Sequence, residues 1–145
     1  MSSNYGHAKE KDNRAVILIV DDVEINRMIL EEMLYEDYKI EQAANGVEAL
    51  EKLSDENSLP SLVLLDIMMP EMDGFEVLEK MRAEELTKKI PVIFITSADS
   101  TEDEAKGLSV GAIDYITKPF VNNIVKSRVE IRWSWRCTER TSNRW

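Results

Sequence analysis

Three aspartates, one threonine and one lysine stand at the ends of apolar runs in this chain. Asp21 and Asp22 follow Val16-Ile-Leu-Ile-Val20, and Asp66 follows Leu62-Val-Leu-Leu65. Thr96 follows Val92-Ile-Phe-Ile95, and Lys118 closes the run from Asp114 to Thr117, just before Pro119. Close carboxylates repel one another, so such a group either takes up a proton or gathers a cation. All-oxygen ligands with open positions suit Mg²⁺. A divalent ion beside Lys118 could hold an incoming phosphoryl group, with Thr96 donating a hydrogen bond to it. Asp66 then sits where a nucleophilic carboxylate belongs, and the implied reaction is in-line phosphoryl transfer giving an aspartyl phosphate. Taken singly, each residue has a plainer explanation. An aspartate after a strand caps the next helix, Lys-Pro makes a turn, and a strand-end threonine is ordinary. Capping requires neither Lys118 nor Thr96, so the set as a whole points to chemistry.

The elements that must position these groups are legible in the hydrophobic pattern. Val16–Val20, Leu62–Leu65 and Val92–Ile95 are continuously apolar, as strands buried on both faces are. Lys39 to Ala43 and Asp114 to Thr117 read as shorter strands. Ile25, Met28, Ile29 and Met33 fall at helical spacing, as do Val47, Leu50 and Leu53, and then Phe75, Leu78 and Met81. Each set predicts an inward stripe, with Met28, Met33 and Met81 as core. Asp73 is the natural N-cap of the third helix, and Ser100 with Asp103 suggests a capping box for the fourth. Gly111 separates that helix from the last strand. A final helix starts near Val121, with Ile124, Val125 and Val129 as its apolar face. Alternating strands and helices imply α/β architecture: a parallel sheet with helices on both faces. For 145 residues this predicts a flavodoxin-like (βα)5 open sheet of strand order 2-1-3-4-5. Functional groups in such sheets collect at the carboxyl ends of the strands, which is where the five residues lie.

Composition bounds the function. Acids outnumber bases 28 to 18, a net charge of -10, which disfavours a nucleic-acid or anionic-membrane surface. One cysteine, Cys137, and one histidine, His7, rule out an intrachain disulfide and a Cys/His zinc site, and fit a reducing compartment. Residues 1–14 lack the apolar core of a signal peptide, and the apolar runs are too short to span a bilayer. A soluble, cytoplasmic protein is expected. The chain divides into a flexible N-terminal tail over 1–14, one domain over 15–130, and a C-terminal tail or truncated linker over 131–145. In the last segment Ile131, Trp133 and Trp135 alternate at strand period, while Arg128, Arg132, Arg136, Arg140 and Arg144 recur every four residues. Three readings stand open: a helix end with an appended tail, a linker cut before an output domain, and a partner surface built on Trp133 and Trp135.

Four stretches carry a resemblance: Ile17-Leu-Ile-Val-Asp21-Asp22; Leu64-Leu-Asp66-Ile-Met-Met-Pro70 through Met72-Asp-Gly-Phe75; Pro91-Val-Ile-Phe-Ile-Thr96-Ser97-Ala98; and Gly111-Ala-Ile-Asp-Tyr115-Ile-Thr-Lys118-Pro119-Phe120. Over roughly residues 15–130 the chain resembles the receiver domain of two-component response regulators. The resemblance implies that Asp66 is the phosphoacceptor. It implies Mg²⁺ bound directly by Asp22, through water by Asp21, and by Asp66 and the backbone carbonyl of Met68. Lys118 matches the phosphate-binding lysine, Thr96 the hydroxyl that moves toward the phosphoryl group, and Tyr115 the aromatic that turns inward when Thr96 moves. Lys118-Pro119 matches a cis peptide bond. Met68 and Ala98 match the positions that tune attack of water on the phosphoryl group. Neither side chain positions water by hydrogen bonding, which predicts slow self-dephosphorylation.

The implied partner is a histidine kinase or histidine phosphotransfer protein, and the last helix–strand–helix face is a candidate homodimer surface. No turnover of a metabolite is expected beyond self-phosphorylation and self-dephosphorylation, so the chain is not read as an enzyme. The stretch from Gly107 to Phe120 is similar to receivers joined to cyclic-dinucleotide enzymes, so a fragment of such a protein is one alternative. A Mg²⁺-dependent aspartyl-phosphate phosphatase is another. Haloacid-dehalogenase-like phosphatases place a second acid where this chain has Met68, which speaks against it. A pseudo-receiver would lack one of the five polar residues. A flavin or nucleotide carrier would need a glycine-rich loop where Asp21-Asp22 stands.

Overall fold

The computed structural model describes residues 14–97 and 101–130. The strands are β1 (Val16–Val20), β2 (Lys39–Ala43), β3 (Leu62–Asp66), β4 (Val92–Ser97) and β5 (Asp114–Lys118). Between them lie α1 (Glu24–Leu34), α2 (Gly46–Lys52), α3 (Gly74–Ala83) and α4 (Thr101–Ser109), and residues 122–130 form α5. All strand pairs are parallel, and the sheet runs β2-β1-β3-β4-β5. This is the flavodoxin-like order that the alternation of elements implies.

Both faces of the central strands are buried, which is why β1, β3 and β4 are apolar up to their carboxyl ends. Leu18, Val20, Val63, Leu65, Val92 and Phe94 face α2 and α3, packing on Ala49, Leu53, Phe75, Leu78 and Met81. Ile17, Ile19, Leu62, Leu64, Ile93 and Ile95 face α1 and α5, packing on Leu30, Leu34, Val125 and Val129. Side chains of Asn45 and Asp73 cap α2 and α3 by accepting from the backbone N–H of Glu48 and Glu76. Gly111 has φ 118° after α4, a left-handed conformation that glycine adopts without steric cost.

Several helical faces depart from the pattern read in the sequence. Leu30 and Leu34 bury α1, with Met33 packed at the rim, whereas Ile25, Met28 and Ile29 are exposed. Val47 on α2 and Ile124 on α5 are likewise exposed, and Ala49 and Val125 take the inward positions. These helices are apolar on more than one side, so a 3.6-residue period admits two stripes and does not say which one the sheet covers. His7, Ala98, Ser100, Cys137, Trp133, Trp135 and the arginines from Arg132 onward lie outside the described residues.

Candidate functional site

Two adjacent parallel strands deliver the acidic cluster. β1 ends one residue before Asp21, and β3 ends on Asp66 beside it, because β1 and β3 pair with Val20 opposite Leu65. One carboxylate oxygen from each of Asp21, Asp22 and Asp66 lies within 4.8 Å of the others. Asp21 and Asp66 are buried and Asp22 is exposed, so the cluster opens to solvent on one side. From β5, Lys118 reaches in, its Nζ 3.6 Å from Asp66 Oδ2 and 3.8 Å from Asp21 Oδ2.

Only half of each buried carboxylate is satisfied. Asp21 Oδ1 accepts from the Val23 N–H at 2.9 Å, and Asp66 Oδ1 from the Met68 N–H at 3.2 Å. Among the described residues, no donor hydrogen-bonds to the buried Oδ2 atom of either residue. Leaving a charged acceptor unmatched in the interior is costly. The strain registers in the Asp66 carboxyl, which is pushed up to about 7. Burial is the largest cause, followed by the negative charge of Asp21; Lys118 and the Met68 N–H oppose the rise, and Asp22 adds to it. Hard oxygens that face one another with only a lysine at ion-pair distance suit a small divalent cation, which would relieve both the repulsion and the unmet acceptors. The residues present therefore fit the metal that the resemblance implies.

Thr96 is buried at the end of β4, one position beyond Ile95, which pairs with Asp66. Among the described residues its hydroxyl makes only a long contact, donating to the Ser97 carbonyl at 3.4 Å. Tyr115 on β5 pairs with Phe94, and Thr117 with Thr96. Alternation along the strand puts Tyr115 and Thr96 on the same face, two residues apart in register. Met68 is 70% exposed, its backbone N–H turned to Asp66. The Lys118–Pro119 peptide bond is cis.

Two further residues to which the sequence assigns no role, Arg27 and Gly74, shape the site. Arg27 donates to the backbone carbonyl of Asp21 at 2.6 Å and to Gln42 Oε1 at 2.9 Å, tying α1 to the ends of β1 and β2. Gly74 opens α3 against the turn after Asp66, and a Cβ there would sit 2.5 Å from the Asp66 carbonyl oxygen. The Gly74 N–H donates to the Ile67 carbonyl at 2.9 Å, which draws the two segments together. A glycine beside a chemically active strand end is the one clue that sequence carries to this approach.

The family model for the response regulator receiver domain matches residues 17–130. A probable cyclic di-GMP phosphodiesterase of Vibrio cholerae is 40% identical over 129 residues, 89% of this chain and 29% of that protein. The response regulator PleD of Caulobacter vibrioides is 42% identical over 116 residues, 79% of this chain and 25% of that protein. The chain thus spans less than a third of either relative. Among solved structures, the chemotaxis protein CheY4 of Vibrio cholerae superposes with a TM-score of 0.74 at 30% identity, covering 81% of this chain and 97% of that one. A response regulator structure from Chloroflexus aurantiacus gives a TM-score of 0.77 at 31% identity, covering 81% of this chain and 96% of that one.

Proposed function

The chain belongs to the response regulator receiver family, and from that premise we propose that Asp66 is its phosphoacceptor and that Thr96 and Tyr115 carry the signal outward. Receiver domains of this family are phosphorylation-activated switches. The observation that carries the residue assignment is the pair of orphaned, buried Oδ2 atoms of Asp21 and Asp66 facing Lys118. A bound Mg²⁺ would be held by Asp21, Asp22, Asp66 and the Met68 carbonyl, and would supply charge neutralisation for the phosphoryl oxygens.

The chain's own residues do the rest. A carboxylate oxygen of Asp66 attacks phosphorus as the bond to the donor's imidazole nitrogen breaks. Lys118 pairs with the transferred group, which brings added negative charge and strong acceptor oxygens. Thr96, whose hydroxyl makes little else of its hydrogen-bonding capacity, turns to donate to one of those oxygens. Tyr115 moves into the space that Thr96 leaves. The phosphoryl group thereby shifts an existing equilibrium by its differential affinity for the two arrangements. Self-phosphorylation from small donors and slow self-dephosphorylation, tuned at Met68 and Ala98, belong to the same reading.

The phosphodonor is a histidine kinase or histidine phosphotransfer protein. Val23, Ile25, Met28 and Ile29 are exposed on and just before α1, directly after Asp22. An apolar patch beside an acidic pocket is a suitable landing surface for a donor helix. Exposed Leu108, Val121 and Ile124 on the α4–β5–α5 face support a homodimer there. The domain is read as residues 15–130, with 131–145 as either a tail or a truncated linker. The protein is read as cytoplasmic; among the described residues no helix is long and apolar enough to cross a membrane. A receiver fragment of a longer protein with a cyclic-dinucleotide output domain is the second reading, favoured by the likeness to the phosphodiesterase over less than a third of its length.

The test is incorporation of phosphate from acetyl phosphate in the presence of Mg²⁺. The wild type incorporates it and Asp66→Asn does not. Equal incorporation by Asp66→Asn would place the acceptor elsewhere.

A further inference from the structure

Arg128 sits on α5, next to Val129, which packs on the α1/α5 face of the sheet. Its guanidinium nevertheless reaches groups on both faces of β5. Nη1 donates to Asp114 Oδ1 at 2.8 Å. The guanidinium carbon also lies 5.3 Å from the centre of the Tyr115 ring. That ring packs on the opposite face, against the cluster of Phe94 and Phe75. β5 is an outer strand, so one side chain can touch both faces only by passing its open edge. Asp114 is largely buried and fixes the guanidinium there. A cation within about 6 Å of an aromatic ring centre attracts it.

We propose that Arg128 is a positioning residue that holds the Tyr115 ring at the open edge of β5 and so opposes the phosphorylated arrangement. The proposal rests on the reading of Tyr115 as the aromatic that turns toward Thr96. Thr96 lies one strand inward and two residues further along in register. Motion of the ring toward it is therefore motion away from the edge and from Arg128. The cation–π contact is made only in the outward arrangement, so it adds to the free energy that phosphorylation must overcome. Since Arg128 belongs to α5, the contact also links that helix to the rotamer of Tyr115. A partner that draws Arg128 away would favour the inward ring, and by linkage the inward ring would favour that partner.

The experiment compares wild type, Arg128→Gln and Arg128→Lys in two readouts. Aromatic NMR follows the Tyr115 ring in the unliganded protein, and titration with beryllofluoride in Mg²⁺ gives affinity for a phosphoryl mimic. Arg128→Gln is expected to shift the Tyr115 ring resonances and to tighten beryllofluoride binding roughly three- to tenfold. Arg128→Lys, which keeps the cation, is expected to lie closer to wild type. In a Tyr115→Ala background, Arg128→Gln should leave beryllofluoride affinity unchanged. A merely structural Arg128 would instead lower thermal stability in both backgrounds and leave the ring and the affinity alone. Unchanged Tyr115 resonances in Arg128→Gln, or an equal affinity change with and without Tyr115, would overturn the proposal. Failure of the wild type to bind beryllofluoride would count against the Asp66 reading, and the Tyr115 resonances would still decide whether Arg128 holds the ring.

Discussion

The ammonium of Lys118 stands 3.6 Å from Asp66 Oδ2, and the Asp66 carboxyl is still pushed up to about 7. An opposite charge this close ordinarily lowers a carboxyl. Here burial and the Asp21 carboxylate outweigh it. Lys118 is partly exposed, with 31% of its side chain open, so water screens its charge, while the two aspartates it faces are dry. The site is held in tension until something with more positive charge than one lysine enters.

That tension makes stability depend on pH with a definite sign. The folded state holds the Asp66 proton up to about 7 against an ordinary value of 3.8. Its stabilising contribution is full below the unfolded value and is lost as pH rises through the folded one. In chelator-treated protein, Asp66→Asn should therefore gain stability over wild type between pH 5 and pH 7 and hold a constant advantage above it. The gain should be about 1–2 kcal/mol. Urea unfolding of both proteins across that range checks it; a difference that shrinks as pH rises would refute the account.

Lys118 and a divalent cation compete for the same two oxygens. Lys118→Met removes the competitor, so Mg²⁺ should bind roughly 3–10-fold more tightly than in wild type. In the receiver reading the same substitution deletes the cation that would meet the phosphoryl group, so beryllofluoride binding should collapse. Isothermal titration of each ligand separates the two effects. Mg²⁺ should also raise the melting temperature of the wild type, the rise growing with the logarithm of Mg²⁺ concentration above its Kd, and Asp66→Asn should lose most of that rise.

The strands were legible because both faces of β1, β3 and β4 are buried, and Val16–Val20, Leu62–Leu65 and Val92–Ile95 leave no other reading. Their carboxyl ends then placed Asp21, Asp66 and Thr96 on one edge. The helices were less legible. Ile25, Met28 and Ile29 are as apolar as Leu30 and Leu34, but only the latter two face the sheet. A stripe held for a partner looks the same in sequence as a stripe held for the core. Arg27 was not legible either, because its link to the Asp21 carbonyl depends on where α1 lies over the sheet. Arg128 was visible as one of a row of arginines four residues apart, but its contact with Tyr115 exists only because β5 is an outer strand.

Gly74 sets how closely α3 approaches the end of β3. Its Cβ in Gly74→Ala would meet the Asp66 carbonyl oxygen at 2.5 Å and Ile67 Cα at 2.9 Å. Both are backbone atoms, so neither can swing aside. The variant should lose about 1–3 kcal/mol of stability through the forced separation. Because the displaced segment carries Asp66, Mg²⁺ affinity should fall with it. Chemical denaturation and metal titration on the same preparation test both; unchanged Mg²⁺ affinity in a destabilised protein would show that the strain is absorbed by α3 alone.

The lifetime of the aspartyl phosphate should be long, and Met68 is the accessible reason. It follows Asp66 by two residues, and it is 70% exposed. Its thioether is at most a weak acceptor and donates nothing, so it cannot hold a water in line with the phosphorus–oxygen bond. A side chain that does both, as in Met68→Asn, should speed loss of phosphate by roughly 10-fold, within the range of positional catalysis by one polar group. Adding Ala98→Glu should speed it further, since that position also adjoins the phosphoryl group in the receiver reading. Radiolabelled protein, freed of donor and followed in Mg²⁺, reports the decay directly. Decay in wild type as fast as in Met68→Asn would mean that the water is held by another group.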